Sequence, residues 1–271
     1  MLRDRPHFGQ LYRNQGLDDG EHHTLHHHNR QRRRNRPAGP YDLGDRVGFF
    51  GGSGIADSGS CLPSCRQNII IANGTIQSFD FGIVLTSTAY TTIAKMELMQ
   101  NSVGLFLNCF DEPVAAACRA VVTDTQANNN EVNGMFFKGG IMNNTIKHSA
   151  ANNNGGIGMA FNSNPNQYTY NTVSESQANN NGEVGMSFEG GSGNTVTDCQ
   201  ANGKEGPAIF LEANPGSLAG ADTLLSGDTA NGNGAQGISA FCPSNLFGNT
   251  ARGNTGGDIV TFRHRLRPPR Q

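Results

Sequence analysis

The chain has 271 residues, which is enough for one or two domains with a sizeable core. It contains 36 Gly, no Trp and only 15% charged residues, and Asn occurs in runs such as Asn128–Asn130. Because Gly and Asn favour turns over helices, this composition argues against a helical protein. No run of about 18 apolar residues occurs, so we expect no membrane insertion.

Charge is distributed unevenly. Residues 47–262 carry seven Lys or Arg against sixteen Asp or Glu, whereas residues 1–46 and 263–271 are both basic. An acidic body is a poor surface for phosphate, so we expect no nucleic-acid partner. It also repels anionic polysaccharide unless a cation such as Ca²⁺ bridges the two, which makes Ca²⁺ a candidate cofactor.

The composition predicts three segments. Residues 1–46 hold six of the eight His and little apolar periodicity, so we predict a disordered or non-native N-terminal segment. The His-rich tract has no supporting core, and we predict no metal site there. Residues 47–262 form the folded domain, with residues 47–60 as a partial first coil or a cap, and residues 263–271 form a basic C-terminal tail. The N-terminus lacks the apolar stretch of a signal peptide.

An internal repeat organises the folded domain. The segments that begin at Asn144, Asn171 and Asn194 align without gaps, and the apolar residue after each Asn-Thr defines position zero of a coil. The repeat extends in both directions with spacings of 21 to 29 residues. The eight zero positions are Ile71, Ile93, Val122, Ile146, Val173, Val196, Leu225 and Leu246.

Other positions recur with the same period. Apolar or small residues stand at +5, as in Ala127, Ala151, Ala178 and Ala201, and Asn usually stands at +8. A late apolar pair, such as Met159 and Phe161, encloses one outward residue, which is the alternation of a strand. Asn at +8 suits both a left-handed turn and an amide ladder between coils.

These columns predict an all-β, right-handed parallel β-helix of about eight coils, in which each coil supplies the core of its neighbours. A leucine-rich solenoid would need a strict leucine/asparagine consensus, and a left-handed solenoid a hexapeptide period. Neither pattern occurs.

The repeat Asn-Thr-Val-x-x-x-x-Ala-Asn-x-Asn-Gly-x-x-Gly-Met-x-Phe resembles that of the pectin-lyase-like superfamily, in particular its carbohydrate-binding and sugar-hydrolase branch. The resemblance covers about residues 68–262. It implies a protein that acts on or binds polysaccharide, but this fold hosts several activities. The catalytic motifs of polygalacturonases and mannuronan epimerases are absent, so the resemblance leaves open whether the chain is an enzyme.

One outward column collects ionisable residues. In a parallel β-helix, residues at one offset lie about 5 Å apart in successive coils. The +2 column, here called the corner column, could hold acid, base and cation within reach of one another and support acid/base chemistry or cation binding. Its candidate catalytic residues are Lys95, Asp124, His148, Glu175 and Asp198, with Lys147 one position earlier. The alternative is a solvated corner with alternating charges.

Two further columns offer groups for sugars. The +4 column, here called the amide column, presents Gln126, Gln177 and Gln200, whose amides could bind sugar hydroxyls or merely face solvent. The residues enclosed by the late apolar pair form an aromatic column, in which Phe106 and Phe136 could stack on sugars or lie beneath a loop.

Six Cys bear on the cellular compartment. Cys61 with Cys65, and Cys109 with Cys118, are spaced for disulfides, although free thiols are the alternative. The resemblance and the Cys spacing together predict a secreted or cell-surface protein that binds polysaccharide. The alternatives are a polysaccharide lyase, hydrolase or epimerase that uses the corner column, and a structural or adhesin-like solenoid. The sequence does not predict the oligomeric state.

Overall fold

The computed structural model describes residues 10–13, 52–57, 66–109, 118–203, 205–212 and 221–263, with the backbone alone at 10–13, 164–167 and 263. These residues form 22 strands, numbered β1 to β22 along the chain, and they contain no helix. Cys61, Cys65, the rest of residues 1–46 and residues 264–271 lie outside the described residues.

Two nine-stranded sheets form the body of the molecule. The first sheet contains β1 (Gln10–Arg13), β4 (Ile69–Gln77), β7 (Thr91–Met99), β9 (Ala120–Thr123), β11 (Thr145–Lys147), β13 (Thr172–Ser174), β15 (Thr195–Thr197), β17 (Thr223–Ser226) and β20 (Ser244–Phe247). The second sheet contains β2 (Ser53–Asp57), β5 (Phe81–Thr86), β8 (Val103–Cys109), β10 (Asn133–Gly139), β12 (Met159–Tyr168), β14 (Met186–Ser192), β16 (Ile209–Leu211), β19 (Ile238–Cys242) and β22 (Ile259–Arg263).

Two short pairs complete the strands. They join β3 (Arg66–Gln67) to β6 (Thr88–Ala89) and β18 (Thr229–Asn231) to β21 (Thr250–Arg252). Within each large sheet, strands from successive coils pair in parallel, apart from β1, which pairs antiparallel with the outer edge of β4. The pairing of β2 with β5 confirms that the described part of residues 47–60 forms a partial first coil.

The observed register is the one that the repeat predicts. Every zero position pairs with the next, from Ile71 with Ile93 to Leu225 with Leu246. The late pair behaves likewise, with Met135, Met159 and Met186 side by side on successive strands. The chain is therefore the predicted parallel β-helix of about eight coils.

The interior of the coils is a continuous apolar stack. Ala127, Ala151, Ala178 and Ala201 are fully buried on successive coils. The rings of Phe137, Phe161 and Phe188 stack nearly parallel, with centroids 4.8 and 4.7 Å apart. The Ala column and the Phe column are thus both buried in the interior of the coils. The same register places the residues of each outward column next to one another on the surface.

The Asn column at +8 forms the predicted amide ladder. Asn130 Nδ2 donates to Asn154 Oδ1 at 3.0 Å, and Asn154 Nδ2 donates to Asn181 Oδ1 at 3.0 Å. The expectation that these residues are also the left-handed ones is wrong by one position. Asn129, Asn153 and Asn180, at +7, have positive φ, and this turn directs the next Asn inward, where its amide must be paired.

A disulfide joins Cys109, at the end of β8, to Cys118, which confirms that pairing. It closes the connection between the second coil and the third. At the far end of the molecule, the last coil leaves Phe247 and Ile259 exposed, since no further coil among the described residues covers them.

Candidate functional site

From β9 onwards the corner column directly follows each strand of the first sheet, whereas Lys95 lies within β7. All five predicted catalytic residues have φ between 48° and 54°, in the left-handed region, so each side chain turns outward at a sharp bend. Backbone hydrogen bonds between coils hold the column in register, for example from Glu175 N–H to Thr197 O at 3.0 Å. The bend therefore places one outward side chain per coil along an edge of the molecule.

Three of the five predicted residues come together with Lys147. Glu175 is at the centre, since its Oε2 lies 2.7 Å from His148 Nε2 and its Oε1 lies 3.0 Å from Lys147 Nζ. His148 Nδ1 lies 3.8 Å from Asp124 Oδ1. We call Asp124, Lys147, His148 and Glu175 the corner cluster.

Lys95 and Asp198 occupy the predicted column one coil beyond the corner cluster on either side. Within the described ranges, neither side chain forms an ion pair with the cluster. Gly227 occupies the same position on the next coil. Its backbone lies so close to Asp198 that a Cβ atom on Gly227 would be 2.4 Å from Asp198 Oδ1. The structure thus joins the centre of the predicted column and leaves its two outer members apart.

Solvent reaches the whole corner cluster. The side chains of Asp124, His148 and Glu175 are 51%, 48% and 48% exposed. Hydrogen bonds from Lys147 and then from His148 hold the pKa of Glu175 below its usual range, because both stabilise the carboxylate. At neutral pH, Glu175 is consequently an ionised acceptor of hydrogen bonds and not a proton donor.

The amide column runs beside the corner cluster. Backbone bridges connect Gln126, Ala150, Gln177 and Gln200 on successive coils, and the three Gln side chains are exposed. Each Gln lies two residues after a corner residue of its own coil, so both columns face the same edge. Gln126 Oε1 accepts a hydrogen bond from Asn128 Nδ2 at 3.1 Å, which orients that amide.

The aromatic column has a different environment. Phe106 is only 6% exposed, and it stacks between Phe81 and Phe136 with centroids 5.6 and 5.3 Å away. Together with the buried Val84 and Val103, it belongs to a second apolar cluster outside the coils. This burial between two neighbouring rings leaves Phe106 no free ring face for a sugar. Phe136 is half-buried at the border of that cluster.

A buried polar ladder, which sequence reasoning missed, lies behind the corner column at +3. The hydroxyls of Thr125, Ser149 and Ser176 donate to the carbonyl two residues earlier and accept a backbone N–H from the preceding coil. Cys199 and Asp228 continue this ladder. The sequence feature that could have revealed this ladder is the small polar residue that directly follows the corner residue in the middle coils.

Among the described residues, no group of three or more His, Cys, Asp or Glu has the arrangement of a metal site. The same part of the chain contains no helix long and apolar enough to cross a membrane.

Comparison with known proteins agrees with the fold. The family model for the right-handed beta helix region matches residues 141–265. This match agrees with the observed register, and both show the right-handed parallel β-helix fold that the repeat predicts. No curated protein matches the sequence.

Solved structures share the coiled architecture. The enzymatically active domain of bacteriophage CBA120 tailspike protein 2 gives a TM-score of 0.52 and 10% identity over 67% of this chain and 31% of the tailspike chain. The periplasmic alginate epimerase AlgG gives 0.51 and 11% over 74% of this chain and 51% of its own. The present chain thus spans about a third to a half of their lengths, and at these identities the likeness concerns the fold alone.

Proposed function

We propose that the chain binds polysaccharide along the edge formed by the amide column and the corner cluster. The observation that carries this proposal is the exposure of Gln126, Gln177 and Gln200 in register. Gln177 and Gln200 lie on adjacent coils, about 4.8 Å apart, and repeated amides at this spacing can bind the repeated hydroxyls of a glycan. The alginate epimerase that shares the fold supports a glycan as the ligand class.

The geometry supports binding more strongly than catalysis. General acid catalysis needs a group that carries a proton at working pH, usually because burial raises its pKa. Glu175 has the opposite perturbation, and the corner cluster is about half exposed, so nothing among the described residues excludes water from it. Ionised Glu175 and cationic Lys147 can instead bind sugar hydroxyls by charge-assisted hydrogen bonds.

A second candidate function is acid/base catalysis on a uronate, as in a lyase or epimerase. The observation that favours it is the 2.7 Å contact between His148 Nε2 and Glu175 Oε2. In such a reaction, Glu175 would orient the imidazole, and His148 would remove the proton next to the uronate carboxylate. Lys147 or a Ca²⁺ ion would neutralise that carboxylate.

We also propose a secreted or cell-surface location. The Cys109–Cys118 disulfide supports it, because structural disulfides persist in oxidising compartments and are rare in the cytosol.

Calorimetry with soluble alginate, polygalacturonate, xylan and a neutral glucan tests binding. The titrations are run with Ca²⁺ and with EDTA, because a bridging cation is the route by which this acidic surface would hold an anionic chain. The double variant Gln177→Ala/Gln200→Ala is expected to bind roughly tenfold more weakly, since it loses two hydrogen-bonding side chains. Gln67→Ala, which removes an exposed amide outside the amide column, is the matched control. Equal affinity of the double variant and the wild type would contradict the proposed surface.

The catalytic candidate has a separate test. The same polysaccharides are incubated with the protein and assayed for unsaturated products, reducing ends and changes in uronate configuration. Loss of product with His148→Ala and with Glu175→Gln would support catalysis at the corner cluster. Product formation that survives both changes would exclude that site.

A further inference from the structure

Three of the five tyrosines of the chain lie exposed along a second corner, at the opposite end of the first-sheet strands. Tyr90, Tyr168 and Tyr170 are 52%, 41% and 53% exposed. Tyr90 and Tyr170 occupy the position three residues before position zero. The other members of that column are Asn68, Arg119, Asn143, Gly193, Asp222 and Pro243.

The local backbone presents two of these rings together. Thr169 is fully buried, and its hydroxyl donates to Asn194 Oδ1 at 2.8 Å, so its two neighbours point outward. Tyr170 then takes φ of 48°, a conformation in which a bulky residue is strained and which Asn143 and Gly193 adopt at the same corner. Asn or Gly would adopt this conformation with less strain, and Tyr90 shares it with φ of 53°.

The two rings pack against each other, and each remains about half exposed. Tyr168 and Tyr170 stack with centroids 5.6 Å apart and an interplanar angle of 16°. A Cβ atom on Gly193 would come within 2.9 Å of Tyr170 Cε1 and 3.4 Å of Tyr168 Cδ1, so both rings lie against the glycine backbone of the next coil. The Tyr168 hydroxyl donates to Asp222 Oδ2 at 3.4 Å. Packing and this contact hold the pair in place.

We propose that Tyr168 and Tyr170, here called the tyrosine platform, stack against a sugar ring of the bound polysaccharide. This inference rests on the proposed function and names a second contact on the same glycan. A pyranose has an apolar C–H face and a rim of hydroxyls. The platform offers the matching combination of flat π faces with the Asp222 carboxylate and the tyrosine hydroxyls at their edges.

The size of the platform favours a sugar over a protein partner. Two half-exposed tyrosines offer on the order of 200 Å² together. A stable protein interface needs about 800 Å² from each partner. A single sugar ring can be covered by the smaller area, and few ordered groups are needed beyond the aromatic contact.

The platform and the proposed binding edge lie at opposite ends of one strand, β13. Tyr170 and Glu175 lie five residues apart, on either side of β13 (Thr172–Ser174), which corresponds to about 16 Å at the strand rise. Thr172 and Ser174 are half-buried on the outer side between them. To reach the platform, a glycan bound along the edge would turn at this coil and cross the sheet past these two hydroxyls.

Tyr90 differs from the platform and serves as an internal control. It lies three coils away, about 14 Å along the axis, and the Arg119 guanidinium sits 5.7 Å above its ring centroid. That cation covers one ring face, and Tyr90 has no second tyrosine beside it among the described residues.

The test compares Tyr168→Ser/Tyr170→Asn with Tyr90→Asn. Asn is chosen because Asn143 already holds the left-handed conformation at this corner. Affinity for alginate, polygalacturonate, xylan and a neutral glucan is measured by calorimetry, and tyrosine fluorescence is recorded in parallel, since the chain has no Trp. The platform variant is expected to bind roughly tenfold more weakly. Tyr90→Asn should bind like wild type, and Tyr170→Phe, which keeps the ring, should also retain affinity.

The outcomes separate the two proposals. If a glycan binds and Gln177→Ala/Gln200→Ala weakens it while the platform variant does not, the platform is wrong and the binding edge stands. If only the platform variant weakens binding, the platform is supported and the edge is wrong. If none of the four polysaccharides binds, both are overturned. Circular dichroism of each variant checks that the β-helix is intact.

Discussion

The backbone N–H of Cys199 donates a 2.9 Å hydrogen bond to Oδ1 of Asp228, one coil further along the buried polar ladder. The other carboxylate oxygen, Oδ2, is buried and has no hydrogen-bond partner in the described structure. In earlier coils a hydroxyl at this position donates to a strand carbonyl. A protonated Asp228 would have the same donor, and burial raises its pKa to about 7, with Asp198 nearby adding to the effect.

Because the pKa of Asp228 is raised in the folded protein, we predict that the free energy of unfolding falls as pH rises. A carboxyl whose pKa is higher in the folded state binds more protons there, so its stabilisation is complete below the unfolded value and is lost on approaching pH 7. The loss amounts to about 4 kcal/mol at most, at 1.36 kcal/mol per pH unit. Urea unfolding at about pH 4.5 and pH 8 measures it.

Asp228→Asn is the matched variant, because Asn249 occupies the same position in the next coil and uses its Nδ2 to donate to Leu225 O. The variant should gain stability relative to wild type at pH 8 and gain little at pH 4.5. An equal difference at both pH values would show that Asp228 is not protonated in the fold.

Cys199 should resist thiol reagents in the folded protein. Burial raises the pKa of its thiol to about 12, and its Sγ donates to Thr197 O at 3.2 Å. Cys242 is half-buried and, among the described residues, is a free cysteine like Cys199, so it is the internal comparison. Mass spectrometry after brief treatment with iodoacetamide at about pH 8 should find Cys242 modified and Cys199 unmodified. Both should react in urea, and rapid labelling of Cys199 without denaturant would contradict its placement.

The repeat register could be predicted because burial leaves a period in the sequence. Interior positions such as Ile146 and Phe161 must be apolar in every coil, so aligning three coils located all eight. The surface columns followed from the same register, including the His148–Glu175 neighbourhood. Side-chain contacts did not follow, because Lys147 reaches Glu175 by a rotamer that spacing cannot specify.

Besides the buried polar ladder, two features were missed for physical reasons. The sequence predicted the left-handed conformation at Asn130, whereas Asn129 adopts it. Both positions are Asn, and Asn suits a left-handed bend as well as an amide ladder, so the residue type alone does not distinguish them. The tyrosine platform precedes position zero, where connections between coils vary in length and obscure the columns. Counting three residues back from each zero position would have aligned Tyr90, Asn143 and Tyr170.

Lys147→Ala should raise the pKa of Glu175 towards its ordinary value. Lys147 is the largest cause of the lowered pKa, through the 3.0 Å contact between Nζ and Oε1, and His148 is the next. A carbon-detected NMR titration of the Glu175 carboxyl measures the change directly. His148→Ala should also raise the pKa, because the hydrogen bond from His148 lowers it as well. A Glu175 pKa that is the same in wild type and Lys147→Ala would show that the ion pair does not persist in solution.

Asn154→Ala tests the amide ladder that closes the coils. Its side-chain amide is 2% exposed, donates to Asn181 Oδ1 at 3.0 Å, and accepts from both the backbone and Nδ2 of Asn130 at 2.9 and 3.0 Å. Removing it leaves buried donors on Asn130 unpaired, so we expect a loss of about 2–4 kcal/mol in unfolding free energy. Asn153→Gly is the control, because that neighbour is exposed with φ of 57° and Gly accepts this conformation freely. Urea unfolding should show a clear drop for Asn154→Ala and almost none for Asn153→Gly. Similar small effects for both would mean that the ladder contributes little and that the apolar stack alone holds the coils together.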